Sequence, residues 1–174
     1  IKENPLDDRN THYLGREYMY YKEWDKCIET LHRHLKLQTS IWKDERCASM
    51  RYIAYSYYNK NYIEESIMWY KNAIIEAPYL REPYFDLGYL YYTLKDHINS
   101  EYYLKKALKI KEKPNTYINE ERAWNETIYD LLSINCFNNK KYKEALKYIK
   151  KALKINNKDQ RLLNNYKLIK IYNI

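Results

Sequence analysis

Glycine is almost absent: Gly15 and Gly88 are the only two in 174 residues, beside four prolines. Tight β-hairpins want glycine or Asn-Gly where φ is positive, so this chain has few means of making them. Helices need far less glycine, and the composition points to an all-α fold. No run approaches the ~18 uncharged apolar residues of a membrane span. Three cysteines, Cys27, Cys47 and Cys136, lie far apart with no CxxC. That odd, scattered set argues against a disulfide framework or a zinc site and fits a reducing cytoplasm. Cys27 and Cys136 fall on apolar helix faces, where a thiol packs as a small hydrophobe.

Motifs of chemistry are missing too. There is no phosphate loop, dinucleotide fingerprint or HExxH pair. His32 and His34 are two apart and point to different helix faces, while His12 and His97 are isolated. The pairs Asp7–Asp8, Glu64–Glu65 and Glu120–Glu121 stand at predicted helix starts, where they complement the helix dipole. The expectation is a chain without catalytic residues, cofactor or metal.

What is present is a soluble mixture, 45% apolar and 31% charged. The net charge of +8 is uneven: residues 139–174 carry +9 and residues 1–138 carry −1. The lysines at the basic end (Lys140, Lys141, Lys143, Lys147, Lys150, Lys151 and Lys154) read as the wet face of a terminal helix. Nucleic acid or anionic membrane is the alternative reading of that face.

Residues 45–78 and 79–112 repeat at an offset of 34: Ala54 aligns with Gly88, Ser66 with Ser100, and Ala73 with Ala107. That is the tetratricopeptide (TPR) period, a pair of antiparallel helices A and B. The frame extends both ways once residues 39–44 are allowed to add five residues and residues 113–123 eleven. Small residues recur where helix A must cross helix B closely: Gly15, Ala54, Gly88 and Ser133. Glycine inside a helix costs ~1 kcal/mol against alanine, so both glycines need a packing reason. Helix B carries two further small sets, Cys27, Ser66, Ser100, Ala145 and His34, Ala73, Ala107, Ala152. His34 is the misfit, read as a partly exposed end-of-stack residue. Larger core positions hold Leu14, Ile53, Leu87, Leu132 on helix A and Leu31, Tyr70, Leu104, Ile149 on helix B. Pro5 and Pro78 occupy the repeat-ending position.

The pattern predicts A helices at about 8–21, 45–59, 80–93 and 121–138, with Asn119 and the acidic pair after it starting the last. B helices are expected at about 24–38, 62–77, 96–111 and 141–155, with a ninth helix at about 159–172. The repeats span about 8–39, 45–78, 79–112 and 121–157. The ninth helix caps the stack, one side lined by Leu162, Leu163, Tyr166 and Ile169. The expectation is one TPR α-solenoid over 1–174, a right-handed superhelix. The chain begins at Ile1 in mid-pattern and reads as a piece of a longer protein.

A narrower likeness is carried by NPLDDRNTHYLGREY, EAPYLREPYFDLGYLYY and KEKPNTYINEERAWNETIYDLLSI. These resemble the TPR region that follows the catalytic domain in bacterial family-2 glycosyltransferases. That group's third joint tends to read KP-x-T-Y, an acidic stretch, a Trp and a D-L-L helix. Here these are Lys113, Pro114, Thr116, Tyr117, Glu120, Glu121, Trp124, Asp130, Leu131 and Leu132. The resemblance implies a parent enzyme that transfers sugar from a nucleotide-sugar, its metal-binding Asp-x-Asp lying upstream. No D-x-D occurs here, and a nucleotide-sugar fold has no room.

The inner, concave wall of such a stack comes from the A helices and is its usual binding face. Repeat one offers His12, Arg16, Met19 and Tyr20; repeat two offers Arg51, Tyr55, Tyr58 and Asn59. Repeat three offers Glu82, Phe85, Tyr89 and Tyr92, and repeat four Asp130, Ile134, Phe137 and Asn138. Tyrosine and arginine are common hot-spot residues, so an extended peptide or acceptor segment is the expected ligand. His12 and Arg16 stand where chaperone-binding members carry Lys and Asn, which disfavours chaperone tails. The reading is a cytoplasmic binding scaffold, attached to an upstream glycosyltransferase domain or, alternatively, free-standing.

Overall fold

The computed structural model describes residues 7–172; the Pro5 position lies outside them. All secondary structure among these residues is helical. They divide between Pro83 and Tyr84 into two compact units, taken in turn.

The first unit holds α1 (Asp8–Tyr20), α2 (Trp24–Lys36), α3 (Lys43–Asn59) and α4 (Ile63–Glu76). Asp7 caps α1, its carboxylate accepting from the Asn10 amide at 2.8 Å. α1 pairs with α2 and α3 with α4, and α3 also packs on the first pair. Cys27, Leu31, Ile53, Ala54, Tyr70 and Ala73 are buried where the helices meet. The first joint is stapled by Arg46, whose guanidinium reaches the carbonyls of Leu35 (3.0 Å) and Ser40 (3.2 Å) and Glu76 at 2.8 Å. Its last residues already belong to α3, which starts earlier than the pattern predicts.

The second unit holds most of α5 (Glu82–Thr93), then α6 (His97–Ala107), α7 (Glu126–Asn138), α8 (Tyr142–Ile155) and α9 (Gln160–Ile171). α7 pairs with α8, α6 packs on α7, and α9 covers α8. Leu162 and Ile169 of α9 join Cys136, Ala145, Ile149 and Ala152 in one core, as a capping helix should.

The joint between α6 and α7 departs from the expected boundaries. α6 ends at Ala107, short of 111, and Glu121–Ala123 form a short 3-10 turn rather than the start of α7. The cap of α7 is Asn125, which accepts from the Thr127 amide at 2.9 Å. Asn119 instead turns back to donate to the carbonyls of Thr116 (3.1 Å) and Pro114. Ile118 and Ala123 are buried, so the insertion is a folded part of this unit.

The glycine expectation holds. A Cβ on Gly15 would stand 2.2 Å from Leu31 Cδ2, and one on Gly88 2.7 Å from Leu104 Cγ and 3.2 Å from the Leu104 amide nitrogen. The A-to-B turns are closed without glycine. Lys22, Asn61, Lys95 and Lys140 all take φ between 60° and 65°. In each turn the following amide bonds five residues back: Glu23 to Tyr18, Tyr62 to Tyr57, Asp96 to Tyr91 and Lys141 to Cys136, at 2.8–2.9 Å. This is the Schellman ending of a helix, repeated four times.

Candidate binding face on the A helices

The predicted binding residues divide by exposure. His12, Arg51 and Phe85 are buried (0%, 4% and 2% exposed), as are Glu82 and Asp130. They are corrected from ligand-facing positions to interior ones. His12, Arg51, Phe85 and Asp130 share one register of the A helices. Packing against neighbouring structure claims this edge of each helix, leaving the residues a turn or two further on facing water. Asp130 shows how: Arg161 and Asn165 of α9 both donate to its carboxylate, Asn165 at 3.2 Å.

In the first unit the face that remains carries Arg16, Tyr20, Tyr55, Tyr58 and Asn59, with Tyr20 63% and Tyr55 44% exposed. The Arg16 guanidinium lies over the Tyr13 ring at 4.9 Å and the Tyr20 ring at 5.9 Å. Tyr55 is braced edge-on by Trp24 at 5.9 Å.

In the second unit Phe85, Tyr89 and Tyr92 form a ladder along α5, with ring centroids 6.3 and 6.2 Å apart. Arg122, which sequence reasoning missed, lays its guanidinium over Tyr89 at 4.5 Å and Phe85 at 5.8 Å. Only the coincidence of an aromatic-rich A helix with a long joint hinted at it. Phe137 packs edge-on against Tyr142 and Tyr172, and Asn138 is exposed with its amide on the Ile134 carbonyl.

Behind the first face lies a buried polar chain. Ser49 Oγ sits 2.7 Å from His12 Nδ1 and 3.0 Å from His34 Nδ1, while His34 Nε2 faces Ser40 Oγ at 3.0 Å and Glu45 at 3.4 Å. His34 is fully buried, not a partly exposed end residue as expected. The Ser49 hydroxyl carries one proton, so it donates to one of the two rings and accepts from the other. Burial pushes His12 down to about 4 against an upward pull from Glu45, with His34 and Arg16 adding smaller downward pushes. The serine–histidine–carboxylate order resembles a nucleophile relay, but Ser49, His12 and His34 have no exposed surface to meet a substrate.

A second cluster brings Glu101, Cys136 and Glu144 within 4.8 Å of one another. Lys105 already bridges Glu101 (2.7 Å) and Glu144 (2.6 Å), and Lys141 holds Glu101 at 2.8 Å. Burial drives the Cys136 thiol up to about 12. Two ammonium groups thus occupy the carboxylates and the thiol keeps its proton, the reverse of what a metal needs.

Comparison with known proteins agrees with this architecture. Residues 82–114 and 127–159 each match a family model for the tetratricopeptide repeat. No curated protein sequence matches the chain. The crystal structure of MamA superposes with TM-score 0.69 at 20% identity, covering 91% of this chain and 83% of that one. TTC0263, a thermophilic TPR protein in Thermus thermophilus, gives 0.64 at 21% identity, covering 98% and 84%. The first TPR of Spaghetti (RPAP3), bound to HSP90 peptide SRMEEVD, gives 0.60 at 17% identity, covering 72% and 90%. No helix of the described residues is long and apolar enough to cross a membrane. The chain folds as an all-α solenoid of tetratricopeptide repeats.

Proposed function

We propose that this chain is a non-catalytic interaction scaffold that holds an extended protein segment on its A-helix faces. The observation that carries it is the row of partly exposed aromatic rings there: Tyr20, Tyr55 and Tyr58 in the first unit, Tyr89, Tyr92 and Phe137 in the second. Each ring offers apolar area and, for tyrosine, a hydroxyl at little entropic cost, because two side-chain torsions fix it. The peptide-bound TPR of Spaghetti is a fold neighbour consistent with this use. The parent is read as a family-2 glycosyltransferase on the strength of the residues from Lys113 to Leu132. In that setting, in the cytoplasm, the repeats hold the acceptor or a partner beside the catalytic domain.

The test places a photo-crosslinking amino acid at Tyr55, at Tyr92 and, as a control, at exposed Tyr102 of α6. A discrete covalent product from Tyr55 and Tyr92 but not Tyr102 supports the reading. Products from Tyr102 alone move the binding face elsewhere.

A further inference from the structure

We propose that the exposed face of α8 docks the second unit onto an anionic lipid bilayer through a row of unpaired lysines. The row lies on a B helix, so it stands or falls apart from ligand binding on the A helices.

Lys143, Lys147, Lys150, Lys151 and Lys154 recur three or four residues apart on a helix of 3.6 residues per turn, so they share one side. All five are exposed, and with partly buried Leu146 they line a shallow depression of about 420 Å³. At 1.5 Å per residue the row runs roughly 16 Å along the axis. Like charges at this spacing repel and cost the helix stability. Elsewhere the second unit pairs its cations. Lys105 bridges Glu101 and Glu144, Lys141 holds Glu101, and Arg161 meets Asp130 and Asp159. Among the described residues, no carboxylate pairs with any lysine of the row. The only acidic residues of 139–174, Glu144 and Asp159, are taken by Lys105 and Arg161. Lys151 lies 5.6 Å from the Tyr129 ring and 5.8 Å from the Tyr148 ring, contacts that leave its charge unbalanced. The row therefore presents five positive charges for an anionic surface to neutralise.

Side-chain chemistry separates the anionic partners. Nucleic-acid readout uses arginine forks on base edges, and single strands stack on aromatic rings. Neither arginine nor an aromatic ring lines this depression. The cores of protein interfaces are depleted of lysine, whose flexible, strongly hydrated ammonium is a poor fixed contact. A bilayer asks for neither fork nor ring. Its headgroups move to meet the cations, while the alkyl stems rest on the acyl boundary and hold the ammonium groups at headgroup level. Exposed apolar groups on the same unit suit that boundary: Ile155 ends α8 at 52% exposure, and α9, packed on α8, exposes Leu168, Ile171 and Tyr172.

The full chain is sedimented with vesicles of phosphatidylcholine alone or with about 30% phosphatidylserine. It should pellet with the second and not with the first, and about 0.5 M salt should release it. Each lysine near an anionic surface contributes roughly fivefold in partitioning, so Lys147→Gln/Lys150→Gln should bind roughly 25-fold more weakly. Lys36→Gln/Lys71→Gln removes the same charge from exposed positions of the first unit and should stay close to wild type. Circular dichroism confirms that the helices of both variants are intact. An equal fall in the two double variants would make net charge, not the α8 row, the source of binding and overturns the proposal. So does a chain that stays in the supernatant with the anionic vesicles. Tighter binding to an oligothymidylate or to polyglutamate, compared at equal anionic charge, overturns lipid as the partner.

Discussion

His12 and His34 share one hydroxyl: Ser49 Oγ lies 2.7 Å from Nδ1 of the first and 3.0 Å from Nδ1 of the second. A single proton on that oxygen allows only one of the two rings to accept from it. The pair is therefore locked in complementary tautomers inside the first unit.

Acid should expose this lock. His12 titrates near 6.5 unfolded and is pushed down to about 4 by burial when folded. Between those values the unfolded chain binds the proton and the folded one does not, so stability is complete above the upper value and falls as pH drops towards the lower. The full loss is about 3 kcal/mol. Urea unfolding at about pH 7 and about pH 4.5 should show most of it. His12→Asn should flatten the slope, leaving the carboxylates Asp96 and Glu101, both held below their ordinary range, to act at lower pH. An unchanged slope in the variant would remove His12 as the source.

The glycines make a packing prediction. Gly15 and Leu31 are sixteen residues apart, as are Gly88 and Leu104. In both pairs an added Cβ would overlap the leucine. Gly88→Ala gains ~1 kcal/mol of helix propensity but overpacks the crossing by roughly 1–3 kcal/mol. At Gly88 the backbone nitrogen of Leu104 also stands in the way, so the net effect should be destabilising. Chemical denaturation of Gly88→Ala reads the sign, and the double variant Gly88→Ala/Leu104→Ala should lose the overlap term.

The positive-φ lysines predict the opposite sign. A left-handed conformation costs an L-residue roughly 1–2 kcal/mol and costs glycine almost nothing. Lys95→Gly and Lys140→Gly should therefore raise the melting temperature, each worth up to about 1 kcal/mol, while Asn61→Gly should gain less. Lys95→Val should lower it. Melting curves of the three glycine variants rank the strain directly.

The thiols should be inert in the folded chain. Cys27, Cys47 and Cys136 are buried, and burial raises Cys27 to about 11 and Cys136 to about 12. Thiolate is the reactive form, so a thiol reagent at mildly alkaline pH should label the native chain slowly. In denaturant it should label all three cysteines at once. Fast native labelling of any one would mean that its helix opens.

The fold was legible because small residues must recur wherever paired helices nearly touch, and Gly15, Gly88, Ala73 and Ala107 keep that pattern in plain view. The exposed face of the A helices was legible only in part. Periodicity says which side of a helix a residue occupies, but not how far the neighbouring structure overhangs it. His12, Arg51 and Phe85 were thus expected on an exposed face and are buried. Arg122 was hidden because a joint has no period to read. His34 looked wrong among alanines because its partners, Ser49, Ser40 and Glu45, sit on or before another helix. Nor do lysines announce a left-handed turn, since side-chain chemistry does not favour them there.

The four helix reversals, held by main-chain bonds, carry a consequence for drift. Where geometry depends on amides and carbonyls, substitution at the reversal alters strain by a fraction of the chain's stability and leaves the hairpin standing. Such sites accumulate change freely, so kinship between distant repeats of this kind is better sought in the spacing of their reversals than in the letters that occupy them.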